Sequence, residues 1–515
     1  MTLTYSPHER LWRLAIFSGA LLLFLCNLSR NHSYAVWDVI ERACFLKYQS
    51  EAPPWGIFFF AHMLEIPLAA GLGKCLPWIR EPIMLLQILE CMFGALLTLL
   101  LYDLCMTVSR RHLLSLGASG LLVSAFAFWR MTTSGEEKII TAFFITLFIS
   151  LYFPFHALSE TPGISRPALI ILSGIVLGVS ALIHLMALIL WPLIALCIAL
   201  GRRGFRCSRF GMAESIVVAL IGFVLLASVY GFVAYSCYGL ESPRDIARGL
   251  LSYHGPKFSY WYFSQPPHER SIFDNVKKSL IGIERVVFAE RVVDRYGSGL
   301  GLTLLAVILS AAIAAARNLR TNPLIMPCTV FLILWGAFFI FYEPDNPESW
   351  IGAYPCFLIL ASSLLALHAP RVIRAGECAL IGAVVLVLWL NCPAYASLGR
   401  YNNAELSARA LDGMVPPGAV VIVGNGAEQR YARYCSHRRV ILAHHLESGK
   451  TDWFDTAKIN GRGIMSRLTH NRPVYATKLG VLRLPQRIRD AARWRRVEGV
   501  QGWQLYELHH DAGEH

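Results

Sequence analysis

Residues 167–203 read PALIILSGIVLGVSALIHLMALILWPLIALCIALGRR. Only His184 breaks the apolar run before Arg202. A helix crosses a bilayer with about 20 apolar residues. The stretch 167–200 is too long for one crossing, so it reads as two helices, 167–183 and 185–200, turning at His184. Helices apolar on every side need lipid as their solvent. The Arg202, Arg203, Arg206 and Arg209 cluster that follows marks a cytoplasmic connection.

The same pattern extends both ways. Apolar runs occur at 11–28, 82–108, 113–130, 138–158, 212–237, 299–317, 323–342, 350–368 and 376–393, which predicts about eleven spans in all. Leu11 to Leu28 has signal-peptide character, but no small-residue cleavage site follows it, so it reads as a retained helix. Trp55 to Leu72 carries His62, Glu65 and Pro67 and reads as interfacial or re-entrant. With the N-terminus in the cytoplasm, the connections holding Arg110, Arg111 and His112, then Arg317 and Arg320, then Arg371 and Arg374, all fall on the same side as the 202–209 cluster. A twelfth span at 55–72 would invert them.

Composition agrees. The 515 residues are 55% hydrophobic and 16% charged, against about a quarter charged in soluble domains. The net charge of +13 does not point to nucleic acid, because many basic residues sit between apolar runs. The thirteen cysteines form no CxxC pair and read as small buried hydrophobes.

The expected fold is therefore mainly α: a polytopic membrane bundle over 1–393 and a small extracytoplasmic α/β domain over 394–515. In that domain Ala419–Val423 is a β-branched run between a Pro416-Pro417-Gly418 turn and Gly424-Asn425-Gly426, and further strand-like segments lie near 438–442, 473–476 and 503–507. The glycine turn lacks the third glycine of a dinucleotide fingerprint and reads as a plain strand-to-helix turn.

Four stretches fall opposite the basic clusters: 29–81, Thr132 to Lys138, 238–298, and Glu343 to Ser349. Asp38 and Glu41 are three apart, on one helix face. An interfacial helix with a Glu41–Arg42 surface pair is the plainer reading. Glu136 and Glu137 precede a helix, where carboxylates also serve merely to complement the dipole. His184 is either a structural donor or a ligand group. Tyr342-Glu343-Pro344-Asp345-Asn346-Pro347-Glu348 is a stiff, acidic turn. Its Asp345 and Glu348 suit sugar hydroxyls or a cation, and a rigid connection is the alternative. In the loop 238–298, His254 and Lys257 lie in an aromatic cluster suited to a lipid interface or to sugar stacking, and the loop's basic residues suit a lipid phosphate.

These features resemble the glycosyltransferase C (GT-C) superfamily, in a branch like the protein O-mannosyltransferases. Asp38-Val39-Ile40-Glu41 is similar to its first-loop acidic motif. Pro53-Pro54-Trp55-Gly56 with Pro67 is similar to the segment that follows it. Trp129, Thr133 and Glu136 resemble a tryptophan-to-glutamate stretch, and Gly174 through Gly178 with His184-Leu185 and Pro192 resembles a glycine–histidine–proline helix pair. Tyr342 through Trp350 resembles the acidic-proline turn before a late helix. The family's first-loop histidine-proline is absent, with His62 nearby, and Ile40 stands where a small residue is common.

The resemblance implies an inverting transfer from a polyprenyl-phosphate sugar to a glycan, lipid or protein acceptor outside the cytoplasm, in a cell (inner) membrane. It implies Asp38 as base, with Glu41 or Glu136 orienting the acceptor, and Glu137, His184, His62, His254, Lys257, Tyr342, Asp345 and Glu348 around the donor. No cofactor is implied. No tight metal-ligand set is visible, and the sequence leaves help from a divalent cation open. Two further readings stand beside this one. A transporter or flippase would use Glu90 and Asp103 within a span, and a non-catalytic assembly protein would display its tail.

Overall fold

The computed structural model describes residues 7–30, 36–47, 64–153, 165–202, 208–238, 242, 244, 271–295, 325–368, 370–400, 403–436, 438–443, 473–484, 486, 489, 493–500 and 503–509. His62, His254 and Lys257 lie outside them.

The helices run α1 (Pro7–Leu25), α2 (Val36–Lys47), α3 (Glu65–Cys75), α4 (Pro82–Ser109), α5 (His112–Ser124), α6 (Phe126–Ser134) and α7 (Lys138–Tyr152). They continue as α8 (Arg166–Ile183), a 3₁₀ turn (Leu185–Ile189), α9 (Leu190–Gly201), α10 (Met212–Tyr238), α11 (Ile272–Val287), α12 (Ile325–Ile340), α13 (Pro347–Ile351), α14 (Tyr354–Ala366) and α15 (Pro370–Leu398). The C-terminal elements are α16 (Asn403–Met414), β1 (Val420–Val423), α17 (Gly426–Cys435), β2 (Arg439–Leu442), β3 (Val474–Thr477), α18 (Lys478–Leu482), β4 (Arg493–Val500) and β5 (Trp503–His509). Two compact units result. One comprises Met1–Leu28, Phe58–Leu72 and Gln87–Ser397, and the other Ser29–Ile57, Gly73–Leu86 and Leu398–His515.

The first unit is helical. Among the described residues, α4, α8, α10 and α15 are each long and apolar enough to cross a membrane. The run 113–130 is not one straight helix. It breaks at Ala125, and α5 and α6 meet at 62°. The extended backbone of Ala125 stops α5, and α15 caps the break, where the Tyr395 hydroxyl and Asn391 Nδ2 both donate to the Ser124 carbonyl. α7, the 3₁₀ turn with α9, α12 and α14 are shorter apolar helices. His184 ends α8 and starts the 3₁₀ turn in extended backbone. α8 and α10 approach closely because a Cβ on Gly178 would stand 2.9 Å from the Gly222 carbonyl. α11, in the loop 238–298, has Asn275, Ser279, Gly282, Glu284 and Val286 buried. Its C-terminal end is held by Asn391, which accepts from the Ala289 N–H and donates to the Val287 carbonyl, both at 2.8 Å.

The second unit holds a five-stranded sheet in the order β2-β1-β3-β5-β4. β1 pairs in parallel with β2 and β3. β5 joins β3 and β4 antiparallel. Val420, Ile422, Ile441, Val474 and Ala476 form its buried core. At the glycine turn, the Asn425 side chain caps α17 by accepting from the Glu428 N–H at 2.8 Å. Glu428 in turn accepts from the Gly424 N–H at 2.9 Å and from the Thr477 hydroxyl at 2.8 Å. The chain's own carboxylate therefore occupies the helix start where a nucleotide phosphate would sit.

Candidate functional site

In the first unit, the ends of four elements bring charges together. α6 ends in the left-handed Gly135 (φ 92°), which turns the chain so that Glu136 and Glu137 precede α7. Both carboxylates are buried, Glu137 completely. Glu137 stands at the N-cap of α7, yet its side chain makes no capping hydrogen bond. Its Oε1 lies 2.9 Å from Lys138 Nζ and 3.9 Å from His184 Nε2. The plainer expectation, that these acids only complement a helix dipole, does not describe Glu137.

His184 belongs to the same group. Its Nδ1 accepts the Met186 N–H at 3.0 Å, which turns Nε2 toward Lys138 Nζ at 2.7 Å. Glu136 and Glu348 also act electrostatically on Lys138. Glu348 sits at the start of α13 and takes a 3.3 Å ion pair from Arg130 of α6. Glu136, Glu137, His184 and Glu348, distant in sequence, are thus assembled around Lys138 and Arg130.

The acidic-proline turn is built to hold Glu348. Asn346 caps α13 by accepting from the Glu348 N–H at 3.0 Å and donates to Glu343 at 3.1 Å. Trp350 Nε1 donates to the Pro344 carbonyl at 2.9 Å, and Trp335 Nε1 to the Ser349 carbonyl at 2.8 Å. Glu343 has φ +46°, a left-handed conformation that costs a non-glycine residue about 1–2 kcal/mol. Such strain persists where the surroundings over-determine it. α11 lies against this turn, for a Cβ on Gly282 would come 2.5 Å from the Pro344 carbonyl and 2.8 Å from Trp350 Nε1. Tyr342 is half-buried, with its ring 5.8 Å from that of Phe338. Asp345 is exposed.

Sequence reasoning did not assign Lys138 or Arg130. Lys138 had a signal, because a cation at the first position of a helix opposes the dipole and needs another reason to be there. Arg130 ends an apolar run, and nothing local names its partner 218 residues away.

The first-loop acids lie in the second unit. Asp38 is on α2, and its side chain is outside the described residues. Glu41 Oε2 is 2.9 Å from Arg430 Nη2 and so pairs with α17. Among the described residues, no group of three or more His, Cys, Asp or Glu is placed to hold a metal.

No family model matches the sequence, and no curated protein matches it. Solved structures do. ArnT from Cupriavidus metallidurans bound to undecaprenyl phosphate is similar with a TM-score of 0.62 at 12% identity, over 96% of this chain and 98% of that one. The same protein in the apo state gives 0.59 at 13% identity, over 96% and 97%. The archaeal oligosaccharyltransferase AglB from Archaeoglobus fulgidus, in complex with an inhibitory peptide and a dolichol-phosphate, gives 0.55 at 12% identity, over 97% and 74%. Likeness at this identity speaks for the fold, and it extends over nearly the whole chain. The chain has the fold of ArnT and of AglB.

Proposed function

We propose that the chain transfers a sugar from a polyprenyl-phosphate-linked donor to an acceptor at the extracytoplasmic face of a cell membrane. The observation that carries this reading is the group of half-buried Arg130, Lys138, His184 and Glu348 with the buried Glu136 and Glu137, in a fold shared with a protein solved with undecaprenyl phosphate. The basic connections in the sequence support a face away from the cytoplasm.

The chemistry divides by charge. Transfer breaks the bond between the anomeric carbon and the lipid phosphate. Lys138 and Arg130 stabilise the negative charge that the departing phosphate takes up. The carboxylates around them, Glu137 and Glu348, keep these cations in place, and Glu136 with the 342–348 turn receives sugar hydroxyls. Asp38 takes the proton of the acceptor as its oxygen or nitrogen forms the new bond, with inversion and no covalent sugar–enzyme step.

A flippase reading draws on charges inside spans. Asp103 of α4 is ion-paired with Arg13 of α1, which suits a structural tie.

The test is transfer of labelled sugar from polyprenyl-phosphate donors by the purified chain in nanodiscs, with and without divalent cation. Lys138→Met is expected to raise the donor KM and lower kcat, and Asp38→Asn to lower kcat alone. Unchanged kinetics in Asp38→Asn would remove that residue as base. Lipid movement across proteoliposomes with no transfer in any condition would replace the enzyme reading with the flippase.

A further inference from the structure

α2 has 12 residues, and an isolated helix of that length is marginal in water. Its stability must come from docking. Val39, Ile40, Ala43, Cys44 and Phe45 are buried, and α2 packs against α17 within the second unit. Polar ties reinforce this seat. Arg430 and Tyr434 are one turn apart, on the same face of α17. Arg430 pairs with Glu41 at 2.9 Å, and the two side chains are only 27% and 20% exposed. Lys47, the last residue of α2, donates to the Tyr434 carbonyl and lies 5.1 Å from the centre of the Tyr434 ring. The Tyr434 hydroxyl donates to Glu81 at 2.9 Å and accepts from the Ile83 N–H at 3.4 Å. Burial, reinforced by Glu81, holds the Tyr434 phenol far above its ordinary range, so it remains a neutral donor. One turn of α17 thus grips α2 and the stretch 81–83 together.

We infer that α17 is the seat that fixes the first-loop helix, with Arg430 and Tyr434 acting as positioning residues for sugar transfer and Glu41 serving that seat rather than touching the acceptor. Asp38 precedes Glu41 by less than one helical turn, so whatever anchors Glu41 anchors the backbone of Asp38. The activity part of this inference rests on the sugar-transfer reading above. The structural part does not.

A charge swap in the full-length protein in nanodiscs separates the two. Arg430→Glu is expected to lower kcat about tenfold to a hundredfold, the penalty of a displaced reacting group, while donor KM changes less than about twofold, as for an interaction that does not bind the ground state. Hydrogen exchange of the α2 amides, Val39 to Cys44, rises in the same variant. Arg430→Lys restores both readouts in large part. The double variant Glu41→Arg with Arg430→Glu rebuilds the ion pair in reverse and restores α2 protection together with most of kcat. Tyr434→Phe, a gentler change, raises exchange in α2 and around Ile83.

Restored protection without restored kcat in the swap would overturn the role given to Glu41, because the carboxylate at 41 would then be needed by the reaction itself. Unchanged α2 exchange in Arg430→Glu, or a swap that fails to restore it, would overturn the seat. If the wild-type protein transfers no sugar, the function proposal fails, and the exchange measurements still decide the seat.

Discussion

Glu137→Gln isolates the tie at the centre of the charge group. Glu137 is completely buried, and its Oε1 lies 2.9 Å from Lys138 Nζ, a side chain only 11% exposed. At that separation and an effective dielectric of about 20, the gross attraction is about 6 kcal/mol. Most of it offsets desolvation of the two ions. Removing one partner of a buried pair usually costs about 3–5 kcal/mol, because the other charge is left uncompensated. Here Glu136 and Glu348 still act on Lys138, so the expected loss is nearer 2–3 kcal/mol. An exposed pair would give under about 1 kcal/mol.

The measurement is unfolding in mixed micelles titrated with a denaturing detergent, carried through a double-mutant cycle with Lys138→Gln. Neutralising both residues leaves no orphaned charge, so the double variant should be more stable than the sum of the single losses predicts, by about 2 kcal/mol. A coupling below about 0.5 kcal/mol, the range of independent sites, would refute the argument. So would a Glu137→Gln protein as stable as the wild type.

Two further outcomes follow from single positions. Gly282→Val drives a side chain into the Pro344 carbonyl and Trp350, and should destabilise the protein by about 1–3 kcal/mol while impairing transfer through displacement of Glu348; an unchanged melting midpoint and unchanged kinetics would show that α11 does not brace the turn. Burial raises the Glu405 carboxyl above its ordinary range against the lowering effect of Arg409, so the folded state holds that proton longer than the unfolded chain, and its contribution is present at low pH and lost as pH rises through the raised value. Melting midpoints from about pH 4 to pH 7 should therefore move in favour of Glu405→Gln relative to wild type as pH increases; a difference that stays flat or falls would contradict that sign.

Much of the helical plan is legible in order along the chain. Apolar runs near 82–108, 167–183 and 212–237 correspond to α4, α8 and α10, because a helix in lipid needs side chains apolar on nearly every face and that requirement is written locally. The β-branched run 419–423 holds β1, and His184 stands at the break it predicts. Composition could not foresee the bend at Ala125, which depends on Tyr395 and Asn391, more than 260 residues away. Nor did it find α11, an amphipathic helix inside a loop, whose apolar residues are too few to register as a span; α2 was legible only as a helical stretch around Asp38 and Glu41.

Residue types at the site were legible and their partners were not. Glu136, Glu137, His184 and Glu348 each stood out as a polar group beside apolar sequence. Which cation each would meet is a property of four chain segments arriving at one place. Lys138 was beside two glutamates in the sequence, and Arg130 was beside none. Glu41 shows the limit most plainly: next to Arg42 in the chain, it pairs with Arg430 in the fold.

The amino-acid order alone therefore determined the solvent of this protein and the places where charge interrupts it, because hydropathy is a sum over neighbours in the chain. Tertiary structure alone decided which of those charges meet, which helix bends, and that the first-loop helix is seated on α17. Ion pairs and capping bonds act over about 3 Å, and proximity on that scale is created only by packing.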